Sequence, residues 1–251
     1  MRIAPIDQHL IEMKENFKSW NTKPLLRLSY ERFYKEITES LQTTMPGATL
    51  ELGSGIGAFK VFYPSCITSD IFDTPWVDKV ESSYRLSFED ESCANVVMFD
   101  VFHHLAYPRM ALADCRRVLK TGGRLIIFDQ YISLFGLFVY GLFHHEPLGL
   151  FQNIEWSEKS VADPDGQYYA ATGNATRVFR TSSPYMPDIL DGWIVVRQRK
   201  FSAISYILSG GFSKPSLYPE SFLPTLIFIE KILDIFPSLF ATRTIIVLEK
   251  K

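Results

Sequence analysis

A short apolar run, Ala48-Thr49-Leu50-Glu51-Leu52, ends directly in three glycines set at every second position, Gly53, Gly55 and Gly57. Pro46-Gly47 punctuates the chain just before it. Glycine takes positive φ at no steric cost, and its missing Cβ lets backbone N–H groups come close to a ligand. A buried strand opening into such a loop fits a parallel sheet whose ligands sit at the carboxyl ends of the strands. With Ala58 counted as the third small residue, the loop also fits the GxGxxG/A dinucleotide pattern. That pattern alone also marks tight strand-to-helix turns that bind nothing.

The flanking segments sharpen the expectation. Residues 65–71 read as a second strand, 95–99 as another, and 124–128, after a turn at Thr121-Gly122-Gly123, as a further buried one. Between the last two, 108–119 has helical spacing through Ala111, Leu112, Cys115, Val118 and Leu119. Strand and helix alternate, which predicts an α/β, doubly wound, mostly parallel sheet. Upstream, 1–44 read as helical, with Leu25, Leu28, Phe33, Ile37 and Leu41 near a period of 3.6. After residue 130 come aromatic helices and a polar, loop-rich stretch over 152–183, followed by two closing strands at 193–198 and 244–248.

Composition narrows the function. The chain has 251 residues, 47% of them hydrophobic, enough for a sizeable core without staples. Its 26 basic and 28 acidic residues leave a net charge of −2, and no global field for a phosphate backbone. Nucleic acid is therefore not the expected partner. Cys66, Cys93 and Cys115 form neither a CxxC pair nor a disulfide framework, and the N-terminal stretch lacks the apolar run of a signal peptide. A cytoplasmic protein with reduced thiols is expected, in which the sequon Asn174-Ala175-Thr176 is a chance tripeptide. The apolar stretches 131–143 and 222–240 are too short or too interrupted by charge and proline to span a bilayer. They read as buried helices, with membrane-surface contact as the less favoured alternative.

Four segments, in order, carry a resemblance: ELGSGIG at 51–57, ITSDI at 67–71, LSFEDES at 86–92 with VVMFDVFHHL at 96–105, and RRVLKTGGRLIIFD at 116–129. Together they cover roughly 47–130, and in this combination the chain resembles the class I S-adenosylmethionine-dependent methyltransferases, in particular the small-molecule branch. The resemblance implies a seven-stranded Rossmann-like sheet in one domain over 1–251: a helical cap (1–45), a cofactor-binding half (46–130), a lid or acceptor region after the fifth strand (131–190), and closing strands and helix (191–251). It implies S-adenosyl-L-methionine as cofactor, lying against Glu51, Gly53, Ser54, Gly55, Gly57, Asp70, Ile71, Ser83, Tyr84 and Asp100. Glu51 and Gly53 would face the methionine moiety, Asp70 the ribose, and Ser83 with Tyr84 the adenine. Asp73 competes with Asp70 for the ribose. The chain departs from the family at Ser82-Ser83, where relatives carry an acidic residue and alanine, and at Ser92-Cys93-Ala94, where they carry Ser-Phe-Asp; Glu81 is placed to replace the missing acid after a one-residue slip.

Methyl transfer from a sulfonium needs positioning and exclusion of water more than it needs a base. If the acceptor is a hydroxyl, histidine suits neutral pH, and His103, His104 and His145 are the candidates, His144-His145-Glu146 closing an aromatic helix over the pocket. His103 and His104 have a structural role as their alternative and His145 a solvated helix end; Asp100 and Asp129, at the ends of the fourth and fifth strands, are placed either to bind an acceptor amine or hydroxyl or to accept loop N–H bonds. No metal is expected, because neighbouring histidines should project to different sides of a helix. A small-molecule or lipid-like acceptor is expected under the aromatic segment 131–150. An NAD-dependent oxidoreductase and a non-catalytic methyltransferase-like binding protein are the alternatives.

Overall fold

The computed structural model describes residues 6–144, 146–157, 163–166 and 169–251, with the side chains of the first helix described from residue 10. One sheet contains β1 (Ala48–Leu52), β2 (Cys66–Asp70), β3 (Lys79–Val80), β4 (Cys93–Phe99), β5 (Leu119–Gln130), β6 (Trp193–Phe201) and β7 (Arg243–Lys250), in the order β3-β2-β1-β4-β5-β7-β6. β1 pairs in parallel with β2 and with β4, and β4 with β5, whereas β7 runs antiparallel between β5 and β6. The helices are α1 (Ile6–Thr22), α2 (Pro24–Thr38), α3 (Phe59–Phe62), α4 (Pro108–Val118), α5 (Leu134–Phe143), α6 (Asn174–Val178), α7 (Met186–Gly192), α8 (Ile204–Leu208), α9 (Leu223–Leu233) and α10 (Pro237–Phe240). The architecture is the seven-stranded, mostly parallel α/β sheet expected from the sequence.

β1 begins and ends with its apolar run. β5 is longer than its buried core suggests: Thr121-Gly122-Gly123 does not turn the chain back but lies inside the strand. Pairing with β4 jumps there from Cys93↔Leu119 to Asn95↔Arg124, with Gly122 at φ +78°. Glycine absorbs the irregularity because it alone takes this φ cheaply.

Alternation along the strands sorts the core into two layers. Val96, Met98, Leu125, Ile127, Ile246 and Leu248 pack with Ala111, Leu112 and Cys115 of α4 and with Val178, Ile189 and Trp193. Val97, Phe99, Ile126, Phe128, Ile245 and Val247 pack on the other side with Leu26, Tyr30, Phe33, Tyr34 and Ile37 of α2. Thus α2 is a buried layer of the sheet, while α1 reaches the glycine loop through Met13. A Cβ built on Gly55 would lie 3.6 Å from the Met13 methyl, and the rings of Phe17 and Trp76 meet at 5.5 Å.

The stretch 222–240 breaks into α9 and α10, and no helix of the described residues is long and apolar enough to cross a membrane. Instead α5 and α9 leave Leu134, Phe138, Leu142, Phe143, Phe228 and Ile232 exposed. The three cysteines are buried free thiols. Asn174 is fully buried and donates its amide to the Tyr169 hydroxyl at 3.0 Å, so the sequon is an internal structural element.

At the start of β7, Arg243 is buried, paired with Asp100, and lies over the rings of Phe33, Phe128 and Tyr206 at 5.0–5.9 Å. Removing one member of such a pair leaves an uncompensated charge inside. Arg243→Met is expected to cost about 3 kcal/mol, the low end for a buried pair because Asp100 keeps some access to solvent. Urea unfolding should show a lower midpoint with an unchanged slope.

Candidate functional site

Glu51, the penultimate residue of β1, is buried, and its Oε2 has no hydrogen-bond partner among the described residues. Burial pushes its carboxyl up to about 7, and the nearby Asp70 adds to this, against a lowering contact from Ser54. Beyond it the chain turns through Gly53, Gly55 and Gly57 at φ +63°, +55° and +65°. Two of these positions are tightly packed: a Cβ would lie 2.5 Å from Val101 Cγ2 at Gly53, and 2.6 Å from the Trp76 carbonyl oxygen at Gly57. Gly55 meets only the flexible end of Met13, so its missing Cβ leaves backbone open to a ligand.

Ser54 ties the loop to β2: its N–H donates to the Ser69 carbonyl at 2.8 Å and its hydroxyl accepts the Ser69 N–H at 3.0 Å. Asp70, the last residue of β2, is buried; it accepts the Gly55 N–H at 3.2 Å and the Phe72 N–H at 3.3 Å. Asp73 is exposed beyond the strand, and Ile71 is half exposed beside Asp70. An unsatisfied buried acid, bare backbone at Gly55 and a carboxylate one bond away from it suit a ligand that carries an ammonium and vicinal hydroxyls.

The adenine-side candidates sit in the loop after β3. Ser83 is buried, the Ser82 hydroxyl accepts the Tyr84 N–H at 3.1 Å, and the Tyr84 hydroxyl accepts the Tyr107 N–H at 3.4 Å. Burial pushes the Tyr84 phenol up to about 12. Glu81 is not a spare carboxylate: both its oxygens are used by Ser87, one taking the N–H at 2.8 Å and the other the hydroxyl. Asp100 also has a partner of its own, Arg243, which turns this cofactor-side candidate toward β7.

The histidine pair departs most from expectation. Phe102–His104 form one 3₁₀ turn, and the rings of His103 and His104 do not diverge; their centroids are 4.1 Å apart. His103 Nδ1 donates to Asp129 at 3.0 Å, and its Nε2 lies 3.2 Å from Glu146. Burial would lower its pKa, but the Asp129 and Glu146 carboxylates more than reverse this and raise it to about 10. These carboxylates favour its charged form, which suits it poorly to accept a proton as a general base. His104 donates Nδ1–H to the Tyr169 carbonyl at 3.0 Å, and its Nε2 lies 3.4 Å from Glu146. Burial, followed by the charge on His103, holds it down to about 4. His145 lies outside the described residues. Sequence reasoning placed Glu146 only as the neighbour of a histidine pair, and it missed Tyr169; both reach the cluster through backbone pairing far from residue 103.

A methyltransferase-domain family model matches residues 67–127, from β2 into β5. No curated protein matches the chain. Among solved structures, a methyltransferase from Thermotoga maritima described as a possible histamine N-methyltransferase is 17% identical with a TM-score of 0.52, over 94% of this chain and 95% of that one. Geranyl diphosphate C-methyltransferase from Streptomyces coelicolor A3(2), solved with Mg²⁺, geranyl diphosphate and S-adenosyl-L-homocysteine, is 11% identical with a TM-score of 0.52, over 88% of this chain and 79% of that one. At these identities the likeness to the solved structures is one of fold.

Glu51 generates a stability prediction. Its folded pKa is raised from 4.5 to about 7, so the folded state binds the proton more tightly than the unfolded one, and stability is lost as pH rises through that window. Glu51→Gln removes the buried charge. It should unfold later than the parent by on the order of 3 kcal/mol at pH 8 and by under about 1 kcal/mol at pH 5. Urea titrations at the two pH values check this.

Proposed function

We propose that the chain is a class I S-adenosylmethionine-dependent methyltransferase, with S-adenosyl-L-methionine as its methyl donor, and that it methylates a small molecule bearing an apolar portion; the methyltransferase-domain match over residues 67–127 supports the first part. The observation that carries the cofactor half is the orphaned Glu51 Oε2 beside the open Gly55 backbone. When bound, the cofactor supplies a methyl group on a sulfonium. Glu51 takes its ammonium and Asp70 its ribose hydroxyls, while Ser83 and Tyr84 border the adenine. Gly53 and Gly57 hold the loop by tight packing, and α1 keeps water from it through Met13 and Phe17. Positioning and exclusion of water are what a displacement that loses charge requires.

The acceptor half rests on the segment after β5. The Ser133 hydroxyl caps α5 by accepting the Gly136 N–H at 3.0 Å, and the Tyr140 hydroxyl donates to the Thr242 carbonyl at 2.7 Å, which fixes the helix against β7. The rings are therefore divided: Tyr140 is buried structure, whereas Phe138 and Phe143 are exposed and touch each other at 5.7 Å. Exposed aromatic and aliphatic side chains beside the carboxyl edge of the sheet favour an apolar ligand over a nucleic acid or a charged peptide tail.

Two measurements test the reading. In calorimetric titration with S-adenosylmethionine, Gly55→Ala should stay folded at some cost in stability, since the new methyl meets only Met13 but the residue sits at φ +55°, and lose about tenfold or more in affinity. Asp70→Ala should lose roughly 10 to 150-fold, the worth of a hydrogen bond to a charged group, while Asp73→Ala binds within about twofold of the parent. For the acceptor, methyl-labelled cofactor is incubated with the chain and a cell extract. Label is expected in the solvent-extractable fraction, and label confined to protein or nucleic acid overturns the acceptor class.

A further inference from the structure

The 102–104 turn, the segment after α5 and the segment before α6 are fastened to one another by backbone. The Ala171 N–H donates to the His103 carbonyl at 2.9 Å, the Thr172 N–H to the Pro147 carbonyl at 3.0 Å, and the Gly149 N–H to the Thr172 carbonyl at 2.9 Å. Arg177 clamps the Gly149 carbonyl from the next turn. Three chain segments far apart in sequence thus hold His103, His104 and Glu146 against one another in a fixed arrangement.

The orientation of each ring is set from behind. His103 gives Nδ1–H to the Asp129 carboxylate and His104 gives Nδ1–H to the Tyr169 carbonyl, both at 3.0 Å, so both rings turn Nε2 toward the same carboxylate. A carbonyl only accepts, which fixes the His104 proton on Nδ1 and leaves the Nε2 lone pair of the neutral ring facing a Glu146 oxygen 3.4 Å away. Two acceptors facing each other repel unless a cation lies between them. A metal ion held between the two rings and the carboxylate supplies one.

The spacing fits an ion. Ligand atoms about 2.0–2.2 Å from a tetrahedral zinc lie roughly 3.3–3.5 Å apart. His103 Nε2 lies 3.2 Å from Glu146 Oε2 and His104 Nε2 3.4 Å from Oε1, so an ion between them meets both carboxylate oxygens or one after a small rotation, and one ligand atom from each of the three residues falls within 4.8 Å of the others. Two imidazoles and a carboxylate, with each imidazole held through its other nitrogen by an oxygen acceptor, match the inner and outer shells of protein zinc sites. Side-chain exposure of 32% at His104 and 10% at Glu146 gives an entry path on one side, while His103 is sealed behind them at 2%.

We propose that His103 Nε2, His104 Nε2 and the Glu146 carboxylate form a binding site for one divalent transition-metal ion, zinc by its donor set, which on binding displaces the proton from His103 Nε2. Three protein ligands leave a coordination position for water or an oxygen of a bound molecule. The site stands independently of the methyl-transfer reading; only the use made of the open position depends on it.

The test uses the untagged full chain, stripped with chelator, dialysed, and titrated with zinc chloride in the absence of cofactor. One equivalent should bind with a dissociation constant of about 1 μM or tighter, and cobalt should give the intense visible absorption of a four-coordinate site. Magnesium at millimolar concentration should not displace zinc, because imidazole donors favour the later transition metals. His104→Ala and Glu146→Gln should each weaken zinc binding by about 100-fold or more. If Glu146→Gln fails to fold by circular dichroism, His104→Ala, at a partly exposed position, decides alone. Absence of stoichiometric zinc binding by the folded chain, or zinc binding that survives these substitutions, overturns the proposal. S-adenosylmethionine titrated into the same zinc-free protein separates this result from the cofactor assignment, since either ligand can bind while the other fails.

Discussion

β1 is hydrogen-bonded in parallel on both sides, to β2 and to β4, and the winding of the sheet reverses about it. Connections on one side of that point lead toward β3 and on the other toward β5, so the loops leaving β1 and β4 diverge and a crevice opens between them. The glycine loop lines one wall and the 102–104 turn follows the other. Glu51 owes its burial to this arrangement, because a strand paired on both edges and covered on both faces leaves its side chains no route to water except through the crevice. Its raised pKa is the electrostatic record of that enclosure.

The other end of the same edge is closed by a charge. β7 enters the sheet antiparallel, so its first residue, not its last, lies beside the carboxyl ends of β4 and β5. Arg243 therefore meets Asp100 where a parallel strand would have placed its terminus. Aromatic rings of α2, β5 and α8 surround the guanidinium and make its burial tolerable. The pair joins the end of β4 to β7 and gives one oxygen of Asp100 a fixed cationic partner.

Much of this was legible in the sequence, and the divisions are physical. β1 could be read to the residue because an apolar run bounded by Pro46-Gly47 and Gly53 has sharp punctuation at both ends. Asp70 could be placed because its distance from the glycines is fixed by the short α3 and the β1–β2 register. β3, two residues long, shows no periodicity to read, and the 121–123 glycines signal a turn while serving as an irregularity within β5. The role of α2 as a sheet layer was hidden because an amphipathic helix has the same pattern whether it caps or packs. The His103-His104-Glu146 cluster was invisible for another reason. Helical projection separates neighbouring side chains, but a 3₁₀ turn pinned by residues 169–172 is not a helix, and no local spacing announces a partner more than 40 positions away.

Met13 resting over Gly55 has a kinetic consequence. Bare backbone at Gly55 is useful only to a ligand that can reach it, and the flexible end of Met13 lies over it. Where the Met13 side chain has to swing aside first, the observed association rate climbs with ligand concentration only until it equals the rate of that motion, and levels off there. Residence time is governed by the same motion in reverse. A substitution in α1 that never touches the ligand would change how fast the chain loads and unloads while leaving the equilibrium constant nearly where it was.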